Sequence, residues 1–135
     1  MNLSEVESYL AAKRRIMPVT GYGKTIPQLP VLKRIEAGEP YMIRSLFAYL
    51  RHYNQSLVIN ERKISTPEEL GLEISKIINS TGIPKTQLEY TIGIKRNNIY
   101  KLTRGLGNRV TLSKFLEAFN INLEIHWVQA IWVHL

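Results

Sequence analysis

Apolar side chains recur every three or four residues over most of this chain, which is the spacing of a helix with one buried face. This period predicts a first helix that includes Leu3, Val6 and Leu10 and frays near Pro18. Further helices are predicted at residues 31–35, 43–53, 67–81, 84–92, 95–102 and 111–119. Residues 57–59 form a short β-prone run, and residues 121–127 alternate apolar and polar side chains as a half-buried strand does. The pattern therefore predicts a mainly α fold with a short β-strand in each half.

Glycine, proline and capping residues mark where these helices begin and end. Thr66 precedes a proline and two glutamates, which combines a capping hydroxyl, a proline at the first helical position and acids that favour the helix dipole. Ser4 and Thr111 are the predicted caps of the first and last helices. Glycines and prolines interrupt residues 19–30, which predicts a loop, and residues 60–66 are polar and predict a connector.

The two halves of the chain share one pattern. Three positions recur 67 residues later, where Leu32, Ile35 and Gly38 match Ile99, Leu102 and Gly105. After a slip of one residue, seven more recur at a separation of 66, where Leu46, Tyr49, Leu50, Tyr53, Asn54, Leu57 and Ile59 match Leu112, Phe115, Leu116, Phe119, Asn120, Leu123 and Ile125. Each half thus ends as short helix, glycine loop, helix and strand.

We interpret this order as a degenerate internal duplication. The alternative is that amphipathic helices resemble one another through their common period. Upstream of residue 31 the first half has prolines and glycines where a helix should precede the turn. The interpretation predicts tandem helical subdomains, residues 1–64 and 65–135, each followed by a short strand.

A basic composition favours polyanionic partners without identifying one. The chain has 135 residues with 18 Lys and Arg against 11 Asp and Glu, a formal net charge of +7. Such an excess attracts polyanions and speeds encounter with them. Many basic proteins bind no nucleic acid, so the charge needs a motif beside it.

That motif lies between residues 82 and 105. A turn at Gly93 and Ile94 separates a predicted helix with an apolar inner face from a second, short and basic one. In a helix-turn-helix the first helix braces the second, whose N-terminal end enters the major groove of DNA. The second helix begins with polar and basic residues, namely Lys95, Arg96, Asn97 and Asn98. Arginine can bridge guanine O6 and N7, and asparagine can bridge adenine N6 and N7.

Residues 88–105 resemble, without a gap, the helix-turn-helix core of the Xre/Cro-like repressor family. The matching positions are Leu88, Gly93, Ile94, Ile99, Leu102 and Gly105. Residues 111–125 look like the fourth helix and terminal strand of the HipB-type antitoxin branch of that family. The resemblance covers residues 66–127, about half of the chain.

The resemblance implies a lambda-repressor-like helical domain and a sequence-specific transcriptional repressor that binds palindromic double-stranded DNA as a homodimer. The positions that contact bases are Arg96, Asn97 and Lys101. The positions that contact the DNA backbone, or lie beside the base-contacting residues, are Lys85, Lys95, Asn98 and Arg104. The distribution of basic residues along the sequence adds Arg109 as a further phosphate contact. The antitoxin branch further implies autoregulation, a toxin partner and a strand at the dimer interface. Residues 123–128 would pair there with a partner's strand, or else with residues 57–59.

Two alternatives stay open at this point. Both halves could contact DNA, the first through Lys33, Arg34 and Arg44, so that one chain acts as a pseudo-dimer. Alternatively the first half retains these residues as relics and supplies dimerisation or a partner surface. We favour DNA contact by the second half alone, because residues 19–30 are poorly suited to a bracing helix. The functional alternative to a repressor is a helical protein–protein interaction module that has lost DNA binding.

Catalytic, metal and membrane classes find little support. The chain has no cysteine, and His52, His126 and His134 do not have the spacing of a metal site. Residues 21–25 lack the spacing and the preceding strand of a phosphate-binding loop. We therefore expect no enzymatic activity, no cofactor and no metal, and a cytoplasmic protein without a membrane span. The apolar tail at residues 127–135 is expected to dock on the core or to form an oligomer contact.

Overall fold

The computed structural model describes residues 1–128, and this part of the chain is mainly helical, as predicted. Seven helices and three strands follow one another within it, namely α1 (Leu3–Ile16), α2 (Leu29–Ala37), α3 (Ile43–His52), β1 (Gln55–Ile59), β2 (Arg62–Ile64), α4 (Pro67–Thr81), α5 (Lys85–Ile92), α6 (Arg96–Thr103), α7 (Arg109–Ala118) and β3 (Glu124–Trp127). The predicted loop is confirmed over residues 19–28, where a bridge between Tyr22 and Ile26 closes it, but α2 begins at Leu29, within the predicted range. None of these helices is long and apolar enough to cross a membrane.

The helix starts confirm one predicted cap and correct two. The Thr66 hydroxyl accepts the Glu69 amide of α4 at 3.1 Å, as predicted. The first helix is capped by Asn2, not Ser4, through the Glu5 amide, and the Glu5 carboxylate accepts the Asn2 amide in return. The last helix is capped by Asn108, not Thr111. In both cases the prediction placed the cap inside the first turn, where a hydroxyl cannot accept from an amide three residues ahead without breaking the helix.

The strands form one antiparallel sheet in the order β2-β1-β3. β1 is the central strand and all its residues are buried. β2 lies within residues 60–66, which were wrongly predicted to be a connector. Asn60 and Glu61 both have positive φ, 51° and 67°, which is the geometry of a two-residue hairpin turn. β3 pairs with β1 of the same chain, which corresponds to the intrachain alternative for residues 123–128.

One apolar cluster runs through both halves of the chain. Leu10, Leu32 and Phe47 of the first half are fully buried in it, as are Ile74 and Phe115 of the second. The sheet joins the halves in the same way, because β1 belongs to the first half and β3 to the second. The part of the predicted apolar tail at residues 129–135 lies outside the described residues.

Candidate nucleic-acid interface

The predicted turn between two short helices is present and tight. Gly93 ends α5 with φ 70° and ψ 25°, a left-handed conformation that glycine adopts at little cost. Its amide donates to the Glu89 carbonyl at 3.1 Å. Ile94 is buried, and Lys95 precedes the first residue of α6. Three residues therefore separate the helices, as in a helix-turn-helix.

Two glycines let α4 and α6 approach closely. A β-carbon at Gly71 of α4 would lie 2.3 Å from the Thr103 carbonyl oxygen at the end of α6. A β-carbon at Gly105, just beyond α6, would lie 2.9 Å from the Pro67 carbonyl at the start of α4. Ile99 and Leu102 of α6 are buried on this inner side. α6 is thus held with one face inward and the opposite face free.

The outward face of α6 carries the three predicted base-contacting residues. Arg96, Asn97 and Lys101 are all exposed. Asn97 and Lys101 lie four residues apart, one helical turn, and line a shallow surface depression. Residues 90–116 contain six Lys and Arg and no Asp or Glu, so no acidic side chain of this segment neutralises the surface. Such a surface suits a polyanion.

Four of the five predicted backbone-contacting residues surround this face. Lys95 precedes α6, Arg104 follows it, and both are exposed. Lys85 opens α5, and its Nζ lies 5.6 Å from the centroid of the Tyr100 ring, which brings that cation beside α6. Asn98 is half-buried in the first turn of α6. These positions could bind phosphates on either side of a groove occupied by α6.

Arg109, the fifth predicted backbone contact, is placed elsewhere. Its Nε and Nη2 donate to the two carboxylate oxygens of Glu7 at 2.7 and 2.9 Å, and the Tyr41 hydroxyl donates to the same carboxylate at 2.5 Å. The hydrogen bond with Glu7 raises the pKa of Arg109, so the guanidinium stays charged. A guanidinium held in a two-pronged ion pair is committed to linking α1 to α7. We therefore exclude Arg109 from the interface.

Two residues of this surface were missed from the sequence. Tyr100 and Thr103 also line the depression beside Asn97 and Lys101. The signal was available, because Tyr100 lies four residues from Arg96 and Thr103 lies three residues from Tyr100, which is helical spacing. Glu7, the partner of Arg109, has no such signal, since the two residues are 102 positions apart.

Comparison of the chain with protein-family models, with curated proteins and with solved structures finds no match. Residues 1–128 contain no group of three or more His, Asp or Glu side chains that could hold a metal ion. The argument for function therefore depends on the geometry of α5, the turn and α6.

Proposed function

We propose that this chain binds double-stranded DNA through α6 and acts as a sequence-specific transcriptional repressor by occluding a promoter. One observation carries the proposal. An acid-free helix with Arg96, Asn97 and Lys101 on its outer face follows a three-residue glycine turn and is braced from behind by α4. This is the arrangement in which a recognition helix enters the major groove.

Each side chain has a distinct part in this proposal. Arg96 and Asn97, in the first turn of α6, suit bidentate contacts with guanine and adenine respectively. Lys101, one turn further on, suits a guanine edge or a phosphate. The surrounding backbone contacts are Lys85, Lys95, Asn98 and Arg104. Such contacts set the orientation and the affinity without selecting a sequence.

We further propose that the chain arose by internal duplication. The order of elements supports this, because α1, α2, α3 and β1 correspond to α4, α6, α7 and β3. The matched residues also agree in conformation. Gly38 and Gly105 have φ of 69° and 77°, and Asn54 and Asn120 have φ of 57° and 51°. A left-handed asparagine is uncommon, so its recurrence at matched positions is more specific than helical period.

The proposal is tested by replacing a base-contacting residue. On the duplex that selection yields, Arg96→Ala should weaken binding by about 1–3 kcal/mol and relax the preference at one base position. Lys76→Ala is the matched control, because it removes an exposed cation from α4 instead. Its base preference should stay unchanged. Equal base preferences for wild type, Arg96→Ala and Lys76→Ala would contradict contact through α6.

The alternative, a protein–protein interaction module, is favoured by one observation. α2, the counterpart of α6, begins with Leu29 and Pro30 and has no polar side chain in its first turn. In the proposed duplication, α2 has thus lost its DNA-contacting residues. If α6 had also lost DNA binding, the chain would be a helical scaffold for protein partners. Such a module would be indifferent to Arg96→Ala in every DNA assay. The antitoxin role, with its toxin partner, stays a prediction from the resemblance.

A further inference from the structure

Equivalent residues of the two halves lie opposite each other where the halves meet. Met42 forms an antiparallel bridge with Asn108, and Val58 of β1 pairs with Glu124 of β3. In each pair the partners are 66 positions apart, which is the separation of the sequence repeat. The other three pairs of β1 and β3 are 68, 70 and 72 positions apart, because the separation in an antiparallel ladder changes by two at each step, so each contact has the repeat separation at one pair.

The hydrogen bonds around the bridge obey the same relation. The Ile43 amide donates to the Gly107 carbonyl at 3.1 Å, and the Arg109 amide donates to the Tyr41 carbonyl at 2.9 Å. The counterparts of Ile43 and Gly107 at a separation of 66 are Arg109 and Tyr41, and these two residues form the second bond. This exchange follows from the antiparallel geometry of the one bridge between Met42 and Asn108, and it is the contact pattern of an isologous interface, in which residue i meets j and j meets i.

We infer that the two halves form a dimer interface within one chain, and that the protein therefore binds DNA as a monomer on an asymmetric site. The second clause rests on the proposed function. The inference replaces the homodimer on a palindrome that the family resemblance implied. β3 pairs with β1 of the same chain, where the resemblance implied pairing with a partner's strand. Joining the halves covalently gives them an effective concentration on the order of millimolar, which a separate chain does not match.

The DNA site is inferred to be asymmetric because α2 and α6 have different side chains at matched positions. At the separation of 67 set by Leu32, Ile35 and Gly38, the counterparts of Arg96, Asn97 and Lys101 are Leu29, Pro30 and Arg34. Leucine and proline side chains donate and accept no hydrogen bonds. α2 consequently cannot distinguish bases through its first turn. Its exposed Lys33 and Arg34 suit phosphates, which carry no sequence information.

The intrachain interface is tested with Met42→Cys/Asn108→Cys. The native chain has no cysteine, so the introduced pair is the sole source of disulfides. The hydrogen bonds flanking Met42 and Asn108 make them a non-hydrogen-bonded antiparallel pair, whose spacing of about 4.5 Å between α-carbons suits a disulfide. Oxidation should cross-link one chain to itself at the mass of a monomer. The two single-cysteine variants are the controls, and light scattering of the wild type should give the mass of one chain. A dimer of the wild-type chain would overturn the inference. Disulfide-linked dimers that appear in the double variant and in neither single-cysteine variant would overturn it as well.

The DNA clause is tested by stoichiometry on a selected duplex. One chain per duplex and a site without two-fold symmetry are expected. Arg34→Ala should lower the log–log salt slope by about one and leave the base preference unchanged. A palindromic site holding two chains would overturn the clause. If no duplex is selected, the proposed function and this clause fail together, while the disulfide and mass results still decide the intrachain interface.

Discussion

At the scale of single residues, partly buried charges connect elements that are distant in sequence. Arg14 of α1 donates to both carboxylate oxygens of Glu36 in α2, with Nη2 at 2.7 Å, and the Tyr49 hydroxyl of α3 donates to the same group at 2.6 Å. The hydrogen bond from Arg14 is the largest cause that holds the pKa of Glu36 below its usual value. Burial and the Glu36 carboxylate raise the pKa of Tyr49. Three helices therefore meet at one ionised carboxylate.

This carboxylate predicts a dependence of stability on pH. Because the folded-state pKa of Glu36 is lowered, its contribution is present above the unfolded value of about 4.3 and is lost as pH falls below it. Glu36→Gln should unfold more easily than wild type at pH 7, and the difference should shrink between roughly pH 5 and pH 3. Urea unfolding across this range measures it, with Glu117→Gln, an exposed glutamate of α7, as the control. A constant difference at all pH values would contradict the assignment.

At the scale of elements, the position of α6 depends on how closely α4 packs behind it. The glycine at position 71 is the residue that permits this, because a β-carbon there would meet backbone atoms that have no freedom to move aside. Two effects of opposite sign compete at this position. Alanine is favoured over glycine within a helix by about 1 kcal/mol. Overpacking against fixed neighbours costs about 1–3 kcal/mol, and more where the clash is severe.

We expect the clash to dominate in Gly71→Ala, because the contact of 2.3 Å is with a carbonyl oxygen of the backbone. The free energy of unfolding should fall by about 2 kcal/mol or more. Ser75→Ala, in the same helix, should change it by about 0.5 kcal/mol or less in the stabilising direction. Urea denaturation measures both. A Gly71→Ala variant as stable as wild type would show that α4 and α6 are not held at this separation.

Elements with a local signal were predicted well from the sequence, and those without one were missed. α4 was placed to the residue by Thr66 and Pro67, which act on neighbouring amides. β2 was missed because Arg62 and Lys63 are exposed and polar, so no alternation marks the strand. The commitment of Arg109 to Glu7 was missed because tertiary folding alone brings the two together. Of the candidate interface, the turn and the α6 face were predictable, whereas the removal of Arg109 from it was not.

At the scale of the whole molecule, the proposed duplication implies structural symmetry combined with chemical asymmetry. Under this proposal Met42 and Asn108, and Val58 and Glu124, are matched residues that pair with each other, yet the two helices at matched positions, α2 and α6, differ in what they can bind. α6 keeps hydrogen-bonding side chains in its first turn, and α2 has Leu29 and Pro30 there. A protein of this kind would select DNA with one half and gain orientation and affinity from the other.

The most direct test of the central claim is affinity selection of the wild-type chain from a library of random duplexes, repeated at several salt concentrations. The account predicts enrichment of one short sequence and a log–log salt slope near −0.9 for each phosphate contact, which Lys85, Lys95 and Arg104 would contribute to. A steep slope without an enriched sequence would describe a non-specific basic protein. Failure to bind any duplex near physiological salt would contradict DNA binding through α6.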